Sequence, residues 1–462
     1  MTSLEPNFFQ NTPQRAMGSE TEYTVQHPAP LPPLRDAILL RPYIQYERDA
    51  NDYFLSNGAR LYYDMAHSEY VGDVVEYATP ECLSAEQVLT YEKAGEQIVT
   101  EFAYEIAANA ATGYPVFKRS SYAHIPGIHD EADETPGSYQ LVSAGHHENY
   151  STPLTFDRDL PLLSYLVTRP LWAGAGIVTE NGYELSQKRN ALSYGSDSEE
   201  LTIHGHKMPI RWRPDRLEVR SGDGNMSPWA IRTKFAMTSL VLRLIEHNAF
   251  PRDAIFSSRK FLQAAAERAS TNPLAVLIGL HGRGENALSH QAAIASAGMR
   301  FADKYDIPKE EYQAAKDVLE VSRSFTPYSS MMHSAEQLAD RVDWAAKLVY
   351  IRNQLGLTST LLADITTNSL PAVQYDLLWE AMGYGAPSTR HYTRTGNVTK
   401  PKRISQALDT TPNTRARVRT QLLREFGSDV LAAGWGAVAL VDGYTFYLST
   451  PYREELRRVS RL

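Results

Sequence analysis

The sequence predicts an α+β protein, and three observations carry that expectation. Short strand-like runs are concentrated before about residue 225, helical patterns dominate from 250 to 385, and the tail joins one helix to a β-hairpin. Strands and helices segregated along a chain, rather than alternating one by one, point to this class. A chain of 462 residues, 43% of them hydrophobic, has ample material for a large core. By length it suits one big domain with a smaller companion, or two to three domains.

The leading strand is Gly18-Ser-Glu-Thr-Glu-Tyr23. Residues two apart on a strand face one side, so Glu20 and Glu22 project together, ~7 Å apart. Like charges that close are costly unless a cation neutralises them, and oxygen-only ligands favour a hard ion, magnesium first. A solvated strand face is the competing explanation. Next, Asn57-Gly58-Ala59-Arg60 signals a turn into the strand-like run Leu61-Tyr62-Tyr63-Asp64, which is expected to end on the carboxylate and to open into a flexible acidic loop. Ser84 with Gln87 reads as a capping box, and Val88, Tyr91, Ile98, Phe102 and Ile106 recur behind it at helical spacing. Later, Ile231, Phe235, Leu242 and Ile245 line one face of another helix. Between Arg394 and Thr411 the composition shifts to Thr, Lys, Pro and Asn, the expected linker; the expected domains are 1–395 and 396–462. Asp442-Gly443 forms a hairpin turn between two tail strands.

Composition excludes several classes. With 54 acidic and 46 basic residues the net charge is −8, too mild to name a partner. No basic run interleaved with aromatics favours nucleic acid. Cys82 is the single cysteine, so neither an internal disulfide nor a thiolate zinc site is available, as expected for a reducing cytosol. The N-terminus lacks an apolar signal-like run, and no apolar segment approaches the ~20 residues of a membrane span. The expectation is a soluble, cytoplasmic protein without nucleic-acid or membrane partners.

The polar groups on strand ends and glycine turns fall into two sets. Glu20, Glu22, Tyr62, Asp64, Glu76 and Glu81 lie near the front; His147, Glu148, Asn149, Arg189, Arg216 and Arg220 lie in the middle. Carboxylates bind magnesium and arginines clamp phosphate oxygens, a combination suited to phosphoryl transfer or ATP-driven carboxylate activation. No Walker pattern is present, so a P-loop is not the cradle. Each residue has a plainer alternative: a hydrogen-bonded structural histidine for His147, a face salt-bridged through Glu218 for Arg216 and Arg220, and a turn aspartate for Asp64.

Several segments, in order along nearly the whole chain, carry a resemblance. Met17-Gly-Ser-Glu-Thr-Glu-Tyr23, Asn57-Gly-Ala-Arg-Leu-Tyr-Tyr-Asp64, Glu76-Tyr-Ala-Thr-Pro-Glu-Cys82, His147-Glu-Asn-Tyr150, Leu185-Ser-Gln187, Gly222-Asp-Gly-Asn225 and Asp343-Trp-Ala-Ala-Lys347 resemble the Pup ligase and Pup deamidase/depupylase family. The resemblance implies a glutamine-synthetase-like fold, a curved antiparallel sheet backed by helices with a small C-terminal domain. It implies ATP (or ADP plus phosphate) and Mg2+ as cofactors, and Pup and pupylated proteins as partners. It also implies an isopeptide bond made or broken between a lysine and the C-terminal glutamate of Pup. By the same carry-over Glu20 and Glu22 bind metal, with Tyr62 beside them. Glu76 or Glu69, with Glu81, completes the metal shell, and Asp64 is the catalytic aspartate. His147, Glu148, Asn149, Arg189, Arg216 and Arg220 fall where nucleotide contacts are expected.

The sequence also departs from the family. The link after Asp64 is lengthened, so His67-Ser-Glu-Tyr70 and Val75-Glu-Tyr77 both match the same motif. The family's Arg-Leu-His becomes Arg216-Leu217-Glu218. The loop typical of the deamidase branch, between Val25 and Asn51, is missing, while Arg424 to Trp435 is similar to that branch. A ligase must keep water from an acyl phosphate, and a loop inserted beside the aspartate opposes that, so the expected activity is that of a depupylase. The alternatives are the Pup–protein ligase and a silent Pup-binding protein. The retained Glu20, Glu22 and Asp64 disfavour the last, because magnesium-site carboxylates without an ion are an electrostatic cost.

Overall fold

The structure is a computed structural model. It describes residues 14–25, 44–49, 52–68, 72–106, 115–119, 122–125, 140–142, 145–155, 159–188, 192–194, 201–203, 206–207, 209–280, 285–325, 330–358, 362–383 and 385–452. The framework divides into two compact units. One comprises residues 1–117, 148–151 and 399–462; the other comprises 118–147 and 152–398. The division at 398/399 falls close to the expected boundary at 395/396, but the tail groups with the N-terminal strands. The expected linker holds a helix, Pro401–Asp409.

The first unit is built on antiparallel strands β1 (Met17–Val25), β2 (Ile44–Asp49), β3 (Asp52–Leu55), β4 (Arg60–Ser68) and β5 (Gly72–Ala78), laid side by side as β1-β5-β4-β3-β2. The strand His146–Ser151 lies on the other side of β1, and β6 (Val116–Phe117) pairs with the end of β1. One face of this sheet is apolar. Tyr23, Val75, Tyr77, Leu61 and Tyr53 are buried, and helix α1 (Ala85–Ile106) packs across β1 and β5. The capping signal holds with one change: Ser84 accepts from the Gln87 N–H at 3.1 Å, while Gln87 reaches back to the N–H of Leu83 at 2.8 Å. Gly95 sits inside this helix because a Cβ there would meet the Tyr77 ring at 2.3 Å; close approach outweighs the usual helix cost of glycine.

The tail completes the unit. Helix Arg415–Phe426 and the three-stranded antiparallel sheet Val430–Ala433, Ala437–Leu440 and Thr445–Tyr447 enclose Val418, Leu422, Val438, Phe446 and Leu448, with Phe54 of β3 in the same cluster. The Asp442-Gly443 turn joins the last two strands as expected. Arg419 is fully buried between the rings of Phe54 and Trp435, 4.9 and 4.8 Å from their centroids. It donates to Glu81, to the Trp435 carbonyl and to the Gly58 carbonyl, each near 3.0 Å. Gly58 has φ +83°, which suits glycine, and Asn57 bonds Tyr77 and the Ala407 carbonyl. The tail thereby fixes the turn from which β4 departs.

The second unit is mainly helical. Helix Pro228–Glu246, capped by the Ser227 hydroxyl, is buried almost all round and packs against helices Ala287–Ala302 and Lys309–Arg323. A buried ionic square lies in this unit. Arg119 donates to Asp376 at 2.9 Å and Glu380 at 2.6 Å, and Lys347 donates to Asp376 at 3.0 Å and also to Glu380. Burial would raise the Asp376 carboxyl, but Arg119 and Lys347 hold it below its usual range. Among the described residues no helix is long and apolar enough to cross a membrane.

Candidate active site

The register of the sheet assembles a polar face opposite the one that α1 covers. Glu22 is directly across from Glu76, and Glu76 in turn from Tyr62. Tyr62 is across from Asp52, and one rank along Glu20, Ala78 and Arg60 line up. Directly paired residues share a face, so Glu20, Glu22, Glu76, Tyr62, Arg60 and Asp52 project together. Glu22, Glu76 and Asp52 are buried, and Glu20 and Tyr62 half-buried. Burial, then the charges of Glu76 and Glu20, push the Tyr62 hydroxyl far above its usual pKa, so it stays a neutral phenol. Two carboxylates directly opposed and buried repel one another. With a phenol beside them, this oxygen-only donor set fits a hard divalent cation.

Asp64 departs from expectation. β4 does not end there but runs on to Ser68. Between Tyr63, paired with Val75, and Met65, paired with Val74, β4 spends one residue more than β5. Asp64 is that extra residue, a bulge in the strand. The strict period of two that the sequence predicts from Tyr62 is therefore interrupted at Asp64. The expected flexible loop is also revised: β4 and β5 remain paired out to Ser68 and Gly72, a hairpin rather than a loop. Glu69 lies outside the described residues, as does most of the segment between Val25 and Asn51.

Two further expectations change. Glu81 does not join the carboxylate face. Arg415 donates to it at 2.6 Å and Arg419 at 3.0 and 3.1 Å. Burial alone would raise its carboxyl, but Arg419 and Arg415 bring it down to about 2. Glu148 and Asn149 point to opposite sides of their strand. Glu148 is fully buried and accepts from the Tyr150 hydroxyl at 2.7 Å, whereas Asn149 donates to Glu20 at 3.1 Å. Asn149 thus joins the polar face and Glu148 does not.

In the second unit, strands Ile210–Arg213 and Arg216–Val219 form a hairpin that sets Arg211 across from Glu218 and Arg213 across from Arg216. Glu218 lies 3.5 Å from Arg220, and 3.8 Å from both Arg213 and His147. The salt-bridged alternative thus describes Arg220, while Arg216 stands across the hairpin from Arg213. Arg189 lies outside the described residues; the residues just before it are held by Asp223. Asp223 accepts from the N–H groups of Ala175, Gln187 and Lys188 and from the Ser186 hydroxyl, at 2.9 to 3.1 Å. Residues missed from the sequence are Asp52 and Arg60 on the polar face. Arg60 sits two residues before Tyr62 and was legible by period; nothing marked Asp52.

A family model described as Pup-ligase protein matches residues 18–439. The chain belongs to the Pup-ligase family. It is similar to a Pup–protein ligase of Acidimicrobium ferrooxidans, 29% identical over 454 residues that cover 92% of this chain and 91% of that protein. It is also similar to a depupylase of Acidothermus cellulolyticus, 28% identical over 429 residues, covering 88% and 77%. Among solved structures, the ligase PafA in complex with the prokaryotic ubiquitin-like protein Pup matches with a TM-score of 0.71 at 23% identity, over 96% of this chain and 90% of that one. The Pup ligase PafA in complex with ADP matches at 0.67 and 22%, over 89% and 88%. The fold is therefore that of the Pup-ligase family, and the chain is of an enzyme family.

Proposed function

We propose that the protein is a Pup–protein ligase, which uses ATP to activate the C-terminal glutamate side chain of Pup and joins it to a substrate lysine. The observation that carries the reading is the polar face bordered by a paired β4–β5 hairpin. A loop beside Asp64 that admits water would favour hydrolysis, whereas β4 and β5 stay paired past Asp64 out to Ser68 and Gly72. The near full-length likeness to a ligase supports the same direction. The second reading, a depupylase, draws support from the relative of that name.

Glu20, Glu22 and Glu76 are the residues that would hold magnesium, which when bound would neutralise charge on the phosphate oxygens. Asn149 orients Glu20, and Tyr62 stays protonated beside Glu76. Asp64, on the bulge, accepts the proton of the incoming lysine. His147, Arg189 and Arg216 contact the nucleotide, and Arg220 shares its charge with Glu218. ATP phosphorylates the Pup carboxylate, the lysine nitrogen then attacks the acyl carbon, and phosphate departs. The buried Cys82 suits a reducing compartment, and we assign the protein to the cytoplasm.

The test is two incubations, each with ATP and magnesium: one with Pup and an acceptor protein, one with a pupylated protein. Conjugate is expected in the first. Release of Pup in the second without any conjugate in the first would overturn the ligase reading and reinstate the depupylase.

A further inference from the structure

Arg60 brings a fixed positive charge onto the face assigned to a metal, and the proposed chemistry leaves that charge unexplained. Its direct partners are Phe54 on β3 and Ala78 on β5. Asp52 and Glu76 therefore occupy equivalent diagonal positions on its two flanks, each ~7–8 Å away and within reach of a long side chain. The guanidinium goes to Asp52. Nε lies 2.7 Å from Oδ1 and Nη2 2.5 Å from Oδ2, a two-pronged match between planar groups. Its carbon sits 4.6 Å from the centre of the Tyr62 ring, which holds it over β4. Burial opposes its charge, but the bond to Asp52 more than compensates, so Arg60 stays cationic. Only pairing, not deprotonation, can withdraw that charge from its neighbours.

We propose that Asp52 is a positioning residue that keeps the Arg60 guanidinium off Glu76 and Glu20, so that these carboxylates serve a divalent cation instead. The inference rests on the metal reading above. Without the Asp52 charge, the guanidinium swings to its other diagonal and competes with the cation for the same oxygens. At a few ångströms such competition is strong even at the effective dielectric of a protein surface.

The probe is Mn2+ binding to nucleotide-free protein, followed by the electron paramagnetic resonance signal of free Mn2+, with Glu22→Gln as the control for this face. Asp52→Asn preserves shape and is expected to weaken binding about tenfold or more. Arg60→Gln is expected to bind at least as tightly as the parent, and the double variant to recover to within a few-fold of Arg60→Gln. Simple loss of packing would not be repaired by a second substitution. Parent-like binding by Asp52→Asn, or a double variant as weak as that single, would overturn the inference and leave the metal reading standing. Weaker binding by Arg60→Gln overturns it even if Asp52→Asn fails to fold. A parent that binds no more Mn2+ than Glu22→Gln would refute the metal reading and this inference with it.

Discussion

Replacing Arg419 with methionine should cost the first unit about 3–5 kcal/mol, the range for removing one partner of a buried ion pair. The substitution keeps most of the bulk between Phe54 and Trp435 but withdraws the donor shared by Glu81, Gly58 and Trp435. Arg419 and Arg415 together bring the Glu81 carboxyl from 4.5 down to about 2, about 3 kcal/mol at neutral pH that the two arginines share. Because the folded value lies below the unfolded one, this stabilisation is complete above pH ~4.5 and is lost as pH falls towards 2. Chemical denaturation followed by tryptophan fluorescence, at pH 7 and at steps down to pH 3, measures both effects, with Trp435 reporting from the clamp itself. The variant should be less stable at pH 7 and should show a flatter acid limb, since Glu81 retains only Arg415. A loss under about 1 kcal/mol, or an acid limb as steep as the parent's, would show that the clamp is not what holds the tail to the β3–β4 turn.

Two other outcomes are expected. Asp64→Asn should lower isopeptide formation roughly a hundredfold or more, the usual effect of losing a positioned proton acceptor, with nucleotide binding retained; conjugation rates within a few-fold of the parent would move the role elsewhere. Asp376→Ala, which leaves Arg119 and Lys347 to share Glu380, should lower the melting temperature by roughly 5–9 °C, from a loss of about 3–5 kcal/mol; calorimetry showing an unchanged transition would mean the ionic square is dispensable.

What could be read from the sequence was local. Ser84 with Gln87, the Asp442-Gly443 turn and the shared face of Glu20 and Glu22 each depend on residues a few positions apart. Asp64 escaped because a bulge is a mismatch between two strands, and β5 decides it as much as β4. The stretch after Asp64 lacks strong strand formers, so its pairing was invisible until its partner was in place. Glu81 matched a family motif, yet its partners Arg415 and Arg419 lie 334 and 338 residues away, beyond any periodicity. Asp52 was silent for a different reason: its partner Arg60 is near in sequence, but their meeting is a diagonal across two paired strands.

The first unit is stitched from the beginning of the chain, four residues near the middle and the last stretch after residue 398. During synthesis the strands bearing Glu20, Glu22 and Glu76 emerge early, but Arg419 and Trp435 leave the ribosome long after them. Pairings of such long sequence separation form late. A chain cut short before that point carries every carboxylate of the polar face but lacks the clamp that fixes the turn leading into β4. Synthesis past Trp435 thus becomes a condition for setting that turn, and a chain cut short before it is left with a polar face whose β4 has no fixed point of departure.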